Sequence, residues 1–171
     1  MLNIVLLEPE IPQNTGNIAR TCAATGAKLH LIKPLGFELS DKYLKRAGLD
    51  YWHMMDFSVY DNWADFMDQN PGAALHYATT KAPRDYAGVS YGEDDFLVFG
   101  RETKGLPEDL LAENYERCVR IPMREGARSL NLSNSVAVML YEALRQRDFA
   151  GLLGAGSLHH TEPKSDWQDY V

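Results

Sequence analysis

The chain has 171 residues, of which 45% are hydrophobic and 24% charged, and it carries a formal net charge of −7. This length and composition predict one globular domain with a proper core, and no apolar run approaches the length needed to span a membrane. The excess of acidic residues argues against a general nucleic-acid binder, although it leaves room for a local basic patch.

Five apolar segments of strand length follow one another along the chain, at residues 2–7, 28–32, 74–78, 96–99 and 118–121. Their β-branched and aromatic residues are typical of buried strands. The first segment lacks a basic flank and stops at Glu8 and Pro9. It is therefore predicted to be a strand and not a signal peptide.

Helical patterns lie between these segments. After the first strand, Ile18, Cys22 and Thr25 share one helical face, Asn14 or Thr15 is suited to the N-terminal cap, and Gly26 to the C-terminal cap. Residues 60–69 and 106–113 predict two shorter helices.

The final helix has the widest apolar stripe, formed by Val136, Met139, Leu140, Ala143 and Leu144. In the helix predicted at 106–113, Pro107 suits the first turn, where a missing N–H is tolerated. Strands that alternate with helices predict an α/β fold, with a mostly parallel sheet flanked by helices.

Residues 1–150 are predicted to form this domain, and residues 151–171, which are small, polar and aperiodic, a flexible C-terminal tail. Cys22 and Cys118 stand in apolar settings far apart in the sequence, which predicts two reduced, packed thiols and a cytoplasmic protein. The pair His159-His160 has no further ligands at metal spacing, so no metal site is expected.

Three polar segments stand out as candidates for a site. The first, Asn14-Thr-Gly-Asn-Ile-Ala-Arg20, opens the first helix, where backbone N–H groups and Arg20 can bind an anion or a phosphate. The alternative is that Asn14 only caps the helix and Arg20 only pairs with a surface acid.

The second segment, Gly100-Arg-Glu-Thr-Lys-Gly-Leu-Pro107, follows a predicted strand, and its glycines permit close approach of a ligand. We expect a bulky residue at Gly100 to block that approach without disturbing the fold. The alternative is a solvated ion-pair cluster of Glu102 with Arg101 and Lys104.

The third segment, Ser129-Leu-Asn-Leu-Ser-Asn-Ser135, places more short polar side chains before a helix than capping requires. Strands that end in such loops build pockets at the carboxyl edge of an α/β sheet, so the second and third segments are predicted to share one site.

Together, and in this order and spacing over residues 1–150, the three segments resemble the signatures of the SPOUT family of RNA methyltransferases, in its 2′-O-ribose branch. The short chain, Glu8-Pro-Glu-Ile-Pro12 and Arg46-Ala-Gly-Leu-Asp-Tyr51 are similar to one subgroup. That subgroup methylates the wobble nucleotide, cytidine or uridine, of leucine tRNAs.

The resemblance implies a C-terminal trefoil knot, a homodimer with the first and last helices at the interface, tRNA as the partner, and S-adenosylmethionine as the cofactor. It implies catalytic roles for Arg20, Asn14, Glu102 and Asn131. The cofactor would be held by Ala78, Gly100, Ile121, Ser129 and Leu130. A chain of net charge −7 can hold RNA only where its positive charge is focused, so the basic residues Lys45, Arg46, Arg101 and Lys104 are the RNA-binding candidates.

Three alternatives stay open at this point. One is a knotted domain that binds nucleotide or RNA without catalysis, and another is a related enzyme that methylates a different tRNA or rRNA position. The third is a small-molecule-binding α/β domain without an RNA partner, which the acidic composition favours.

Overall fold

A six-stranded parallel sheet forms the centre of the molecule. The computed structural model describes residues 1–39 and 56–157. The strands are β1 (Asn3–Leu7), β2 (Lys28–Ile32), β3 (Phe57–Tyr60), β4 (Leu75–Ala78), β5 (Phe96–Phe99) and β6 (Cys118–Val119). Their spatial order is β3-β2-β1-β5-β4-β6, and every pairing is parallel. This confirms the predicted α/β fold with a mostly parallel sheet.

Helices cover both faces of the sheet. They are α1 (Pro12–Thr25), α2 (Trp63–Gln69), α3 (Glu108–Glu113) and α4 (Leu132–Arg145), and two short 3₁₀ helices lie at Tyr86–Gly88 and Tyr115–Arg117. Successive side chains of a strand point to opposite faces, so Ile4 and Leu6 enter the core under α1 and α4, whereas Val5 enters the core under α2 and α3. None of the helices in the described ranges is long and apolar enough to cross a membrane.

The predicted apolar stripe of the last helix is confirmed, because all five of its residues are buried in α4. The end of α1 is also as predicted, since Gly26 adopts a left-handed conformation with φ of 73° and caps the helix. The predicted start of α1 is wrong: the helix begins at Pro12, and Asn14 and Thr15 lie buried inside its first turns. Pro12 stands at the helix start because its fixed φ and missing N–H suit that position.

Two further predictions differ from the structure in the middle of the chain. The helix expected at residues 60–69 begins at Trp63, where Asn62 caps it, and it is preceded by the unpredicted strand β3. Strand β3 lies at one end of the described sheet, and only Tyr60 of its residues is fully buried, so its sequence lacks a continuous apolar run. Helix α3 begins at Glu108, so Pro107 is its N-terminal cap and not part of its first turn.

The strand order places a crevice beside β5. Strand β1 leads to α1 on one face of the sheet, while its neighbour β5 leads to α3 on the other face. The loops that follow two adjacent parallel strands therefore separate, and ligands bind α/β sheets at such a switch point.

Candidate active site

A cleft of about 650 Å³ opens at the carboxyl ends of β4, β5 and β6. Its volume lies within the range that small-molecule and cofactor pockets have, about 300–1,000 Å³. Residues from all three polar segments line it, as expected for one shared site. The predicted residues that it brings together are Asn14, Ala78, Gly100, Arg101, Glu102, Lys104, Ile121, Ser129, Leu130 and Asn131.

Glu102 is the hydrogen-bond acceptor that ties the second segment to the first. Its carboxylate accepts from the backbone N–H of Glu10 at 2.8 Å, from that of Ile11 at 3.1 Å and from Nδ2 of Asn14 at 3.0 Å. These neutral donors occupy both carboxylate oxygens. Arg101 pairs with Glu8 instead, and among the described residues neither Arg101 nor Lys104 forms an ion pair with Glu102, so the alternative of a solvated ion-pair cluster is wrong.

Asn14 carries this connection on to the third segment. A carboxylate can only accept, so Glu102 fixes the orientation of the Asn14 amide, with Nδ2 towards Glu102. Oδ1 of Asn14 then accepts from Nδ2 of Asn131 at 2.9 Å. Oδ1 of Asn131 in turn accepts from the backbone N–H of Ser133 at 2.9 Å and caps α4. One chain of hydrogen bonds with a defined direction thus joins the three segments.

Gly100 is needed by the loop itself. A Cβ built at this position would lie 2.1 Å from the carbonyl carbon of Gly105 and 2.3 Å from the nitrogen of Leu106. The loop is closed by two backbone hydrogen bonds between Arg101 and Gly105, and Gly105 has φ of 70°. The expectation that Gly100 can be enlarged without disturbing the fold is wrong, because backbone and not ligand fills the space beside it.

The remaining cofactor candidates mark the strand ends and the third segment. Ala78 is the last residue of β4, and Ile121 follows the end of β6 by two residues. A hydrogen bond of 3.0 Å from the N–H of Thr79 to the carbonyl of Val119 holds these two chain segments together. Ser129 and Leu130 are exposed at the mouth of the cleft.

The sequence reasoning missed the lining residues Thr79, Thr80 and Lys81. Thr79 to Lys81 follow β4 directly, just as Gly100 follows β5. The rule that singled out the loop after β5 would therefore have found them, had it been applied to every predicted strand.

The basic candidates have three different positions. Lys104 lines the cleft and is exposed, whereas Arg101 lines it but pairs with the carboxylate of Glu8. Lys45 and Arg46 lie outside the described residues.

Arg20 is exposed on α1 and does not line the cleft of its own chain. It follows Asn14 by six residues, which is about 9 Å along the helix axis and on a different side of the helix.

The thiols of this chain are structural. Cys22 and Cys118 are buried and form no disulfide. Burial raises the pKa of the Cys22 thiol to about 12 and also raises that of Cys118, so neither supplies a reactive thiolate near neutral pH. Within residues 1–39 and 56–157, no group of three or more His, Cys, Asp or Glu side chains is placed to hold a metal ion.

The parallel sheet with a cleft at its switch point defines an α/β ligand-binding protein, and sequence comparison identifies its family. The profile of the SpoU rRNA Methylase family matches residues 1–141, and the chain belongs to that family.

Relatives and solved structures are similar over most of this chain. The tRNA (cytidine(34)-2′-O)-methyltransferase of Saccharophagus degradans is 53% identical over 152 residues, 88% of this chain and 99% of that protein. A solved structure concerned with the 2-OH methylation of C/U34 on tRNA is 47% identical, covers 87% of this chain and 97% of its own, and has a TM-score of 0.82. The AdoMet-bound rRNA methyltransferase of Sinorhizobium meliloti is 30% identical and has a TM-score of 0.73, over 84% of this chain and 56% of its own.

Proposed function

We propose that this protein transfers a methyl group from S-adenosylmethionine to the ribose 2′-hydroxyl of nucleotide 34, cytidine or uridine, in tRNA, with leucine tRNAs as substrates. One observation carries the proposal. Relatives named for this reaction match 88% of the chain at 53% identity, and the family match over residues 1–141 contains the whole cleft with its hydrogen bonds from Glu102 through Asn14 to Asn131. A tRNA substrate also supports the expected cytoplasmic location.

The cleft residues fit S-adenosylmethionine. Apolar side chains of Leu106, Val119 and Met139 offer a surface for the adenine ring, while the polar backbone of the loops at Gly100 and Leu130 can bind its edge and the ribose. Ala78, Ile121 and Ser129 complete this set. The cofactor supplies a methyl group on a positively charged sulfur, so the protein must align the acceptor oxygen and manage one proton.

The hydrogen-bond chain assigns roles to the polar side chains. Glu102 already accepts three N–H bonds, so we assign it to hold Asn14 and not to take the hydroxyl proton. Asn14 is buried and holds Asn131, whereas Asn131 is exposed at the cleft. Asn131 is therefore the member of the chain that contacts the ribose.

Arg20 stabilises the negative charge that develops on the ribose oxygen. An arginine is protonated at all working pH values and has no lone pair to act as a base, so its contribution is electrostatic. Because Arg20 faces outward from α1, we propose that it acts in the cleft of a second subunit.

The homodimer in this proposal pairs the outer faces of α1 and α4. These helices pack side by side on the same face of the sheet. The outer face of α4 exposes Val138 by 37% and Tyr141 by 46%, and that of α1 exposes Asn17, Arg20 and Ala24. Apolar side chains at helical spacing on a flat surface are suited to a second copy of the chain.

The trefoil knot is also part of the proposal. Strand β6 lies at the end of the described sheet, yet the chain returns from it to α4, which packs on α1 and on the central strand β5. This return, made by the segment that carries Ser129 and Leu130, is the passage that a knot would require. The role of residues 151–171 as a flexible tail stays a prediction.

The test is transfer of a labelled methyl group to bulk tRNA, followed by nucleoside analysis of the digested product. We expect 2′-O-methylcytidine or 2′-O-methyluridine from position 34 of leucine tRNAs. Label at another position would indicate a different RNA site. Binding without transfer would indicate a non-catalytic domain, and no affinity for tRNA at low salt would favour a small-molecule-binding domain.

A further inference from the structure

Arg101 stands in the loop of the cleft, but its charge is already paired. Its guanidinium donates to the carboxylate of Glu8, and the two side chains are 36% and 21% exposed, respectively. A chain of net charge −7 needs focused positive charge to hold RNA. The pairing of Arg101 with Glu8 removes one of the positive charges that the cleft could offer to RNA.

The backbone that carries Glu8 is fixed in place. Glu8 has φ of 54°, a left-handed conformation that few residues other than glycine adopt. Its N–H donates to the carbonyl of Ile32 at 2.9 Å, and the N–H of Gly36 donates to the carbonyl of Pro9 at 2.9 Å. A Cβ on Gly36 would lie 2.5 Å from the carbonyl oxygen of Glu10, so no other residue fits there. Glu8 is thus held in a strained conformation by its surroundings.

The other side of the same segment is bound to the cleft loop. Both carboxylate oxygens of Glu10 accept from Thr103, including its N–H at 3.0 Å, while Glu102 accepts from the N–H groups of Glu10 and Ile11. Glu10 and Glu102 therefore serve neutral donors. Of these three carboxylates, Glu8 is the one that neutralises a cation.

We propose that Glu8 is a specificity-determining residue that masks Arg101 until a phosphate of the correct RNA displaces it. This inference rests on the proposed function, since it names the contact by which that substrate would be distinguished. A partly exposed ion pair is weak, so it can be exchanged for a bidentate bond to phosphate.

The Glu8–Arg101 pair affects weakly held RNAs more than a tRNA that also binds elsewhere on the protein. An RNA held by a few nonspecific contacts gains little by opening the pair and leaves Arg101 unused. A tRNA that is anchored elsewhere on the protein brings a phosphate to Arg101, and the new phosphate contact replaces the broken ion pair with Glu8. Such a residue lowers affinity for wrong partners more than for the right one.

The experiment measures binding of polyuridylate and of bulk tRNA at several salt concentrations for the wild type, Glu8→Gln, Arg101→Gln and the double variant. For Glu8→Gln, we expect polyuridylate to bind roughly threefold to fivefold more tightly, with a salt slope steeper by about 0.7 unit, the value of one single-strand phosphate contact. The salt slope for tRNA should stay unchanged. Arg101→Gln alone should flatten the salt slope for tRNA and leave the salt slope for polyuridylate unchanged. The double variant should lack the tighter polyuridylate binding of Glu8→Gln.

Glu93→Gln is the matched control. Glu93 also pairs with an arginine, Arg147 at 3.0 Å, but it precedes β5 and so lies at the opposite edge of the sheet. The Glu93→Gln variant removes the same negative charge as Glu8→Gln and should leave the binding of both RNAs unchanged. Glu8→Ala provides a second unmasked variant, and thermal melting shows whether each variant folds.

The proposal is overturned if Glu8→Gln does not bind polyuridylate more tightly, if Glu93→Gln has the same effect, or if the gain persists without Arg101. A wild type that binds no polyuridylate is no obstacle, since unmasking should then create measurable binding. Methyl transfer to tRNA by the wild type is measured separately, so a failure of the proposed function and a failure of the mask are distinguishable.

Discussion

Substitutions of Glu102 distinguish two roles for this residue, holding Asn14 in place or taking the proton of the ribose hydroxyl. We expect Glu102→Ala to lower the single-turnover rate of methyl transfer on the order of a hundredfold, because Asn14 and the 8–11 segment lose their common acceptor and the site shifts. Glu102→Gln keeps one carbonyl oxygen that can still accept from Asn14, so it should retain clearly more activity than Glu102→Ala. Were Glu102 the base, glutamine would be as inactive as alanine.

His30 makes the stability of the core depend on pH. It is 2% exposed, with Nδ1 at 2.8 Å from the hydroxyl of Tyr60 and Nε2 at 3.0 Å from Oδ1 of Asn3. The amide of Asn3 donates to two backbone carbonyls, so its Oδ1 faces the ring and Nε2 carries the proton. The neutral ring then accepts from the Tyr60 hydroxyl, and protonation of Nδ1 would require that bond to reverse its direction.

Burial, assisted by the charge of Lys28, lowers the pKa of His30 from 6.5 to about 4. The unfolded chain therefore binds a proton more readily than the folded chain. The stabilisation is complete above about pH 6.5 and is lost as the pH falls towards 4, by roughly 3 kcal/mol in the free energy of unfolding. We expect urea denaturation to show this loss in the wild type and a smaller loss in His30→Gln.

Tyr60→Phe is the control for that measurement. It removes the hydrogen bond to Nδ1 but keeps a buried histidine, so it should lower stability at every pH and retain the acid sensitivity. Parallel pH curves for the wild type and His30→Gln would show that other groups cause the acid loss.

Residue by residue, the sequence predicts the cleft better than the roles within it. The three segments meet as expected, but Asn14 was expected to cap α1 and instead lies buried between Glu102 and Asn131. Local capping rules describe a helix by itself. The role of Asn14 depends instead on two contacts with distant parts of the sequence, to Glu102, which is 88 positions away, and to Asn131, which is 117 positions away.

Among the elements, continuous apolar runs identified the buried strands, and a period of 3.6 identified α4. The half-buried end strand β3 lacked such a run and was missed. The spatial order of the strands, which creates the crevice beside β5, depends on long-range pairing that no local pattern contains.

The loop after β5 can be tested through its two glycines, which have different constraints. Gly100→Ala should destabilise the loop strongly and abolish binding of S-adenosylhomocysteine, because its Cβ meets backbone at 2.1 Å. Gly105→Ala has open space but requires φ of 70°, so it should cost about 1–2 kcal/mol and weaken binding moderately. Calorimetric titration and thermal melting measure both effects.

Gly154→Ala is the control for this pair, since it has neither close contacts nor a left-handed backbone. It should match the wild type in melting temperature and affinity. Equal behaviour of Gly100→Ala and Gly154→Ala would contradict the structure of the loop.

At the scale of the whole molecule, the outer faces of α1 and α4 form the interface of the proposed dimer. We expect light scattering at micromolar concentration to give twice the chain mass of 19.3 kDa. Tyr141→Asp should shift the protein towards the monomer, because it places a charge in the proposed interface. Tyr115→Asp is the matched control, since Tyr115 is about as exposed, at 49% against 46%, but lies in the 3₁₀ helix Tyr115–Arg117 beside α3. A wild-type monomer would remove the dimer from the proposal.

The proposed dimer also determines in which cleft Arg20 acts. If Arg20 serves the cleft of the other subunit, then Arg20→Ala and Glu102→Ala damage different halves of each site. A mixed dimer of the two variants contains one site with an intact cleft from one chain and an intact Arg20 from the other. Random exchange of subunits in an equal mixture should therefore restore methyl transfer to roughly a quarter of the wild-type rate.

Each variant carried through the same exchange alone should stay inactive, with tRNA still bound by Arg20→Ala. An Arg20 that acted within its own chain would leave both sites of the mixed dimer defective, and the mixture would then be no more active than its parents. Arg20→Ala with near-normal single-turnover rates would instead remove Arg20 from catalysis and return it to a surface ion-pair role. The mixture thus tests, in one measurement, both the pairing of two chains and the exposed position of Arg20 on α1.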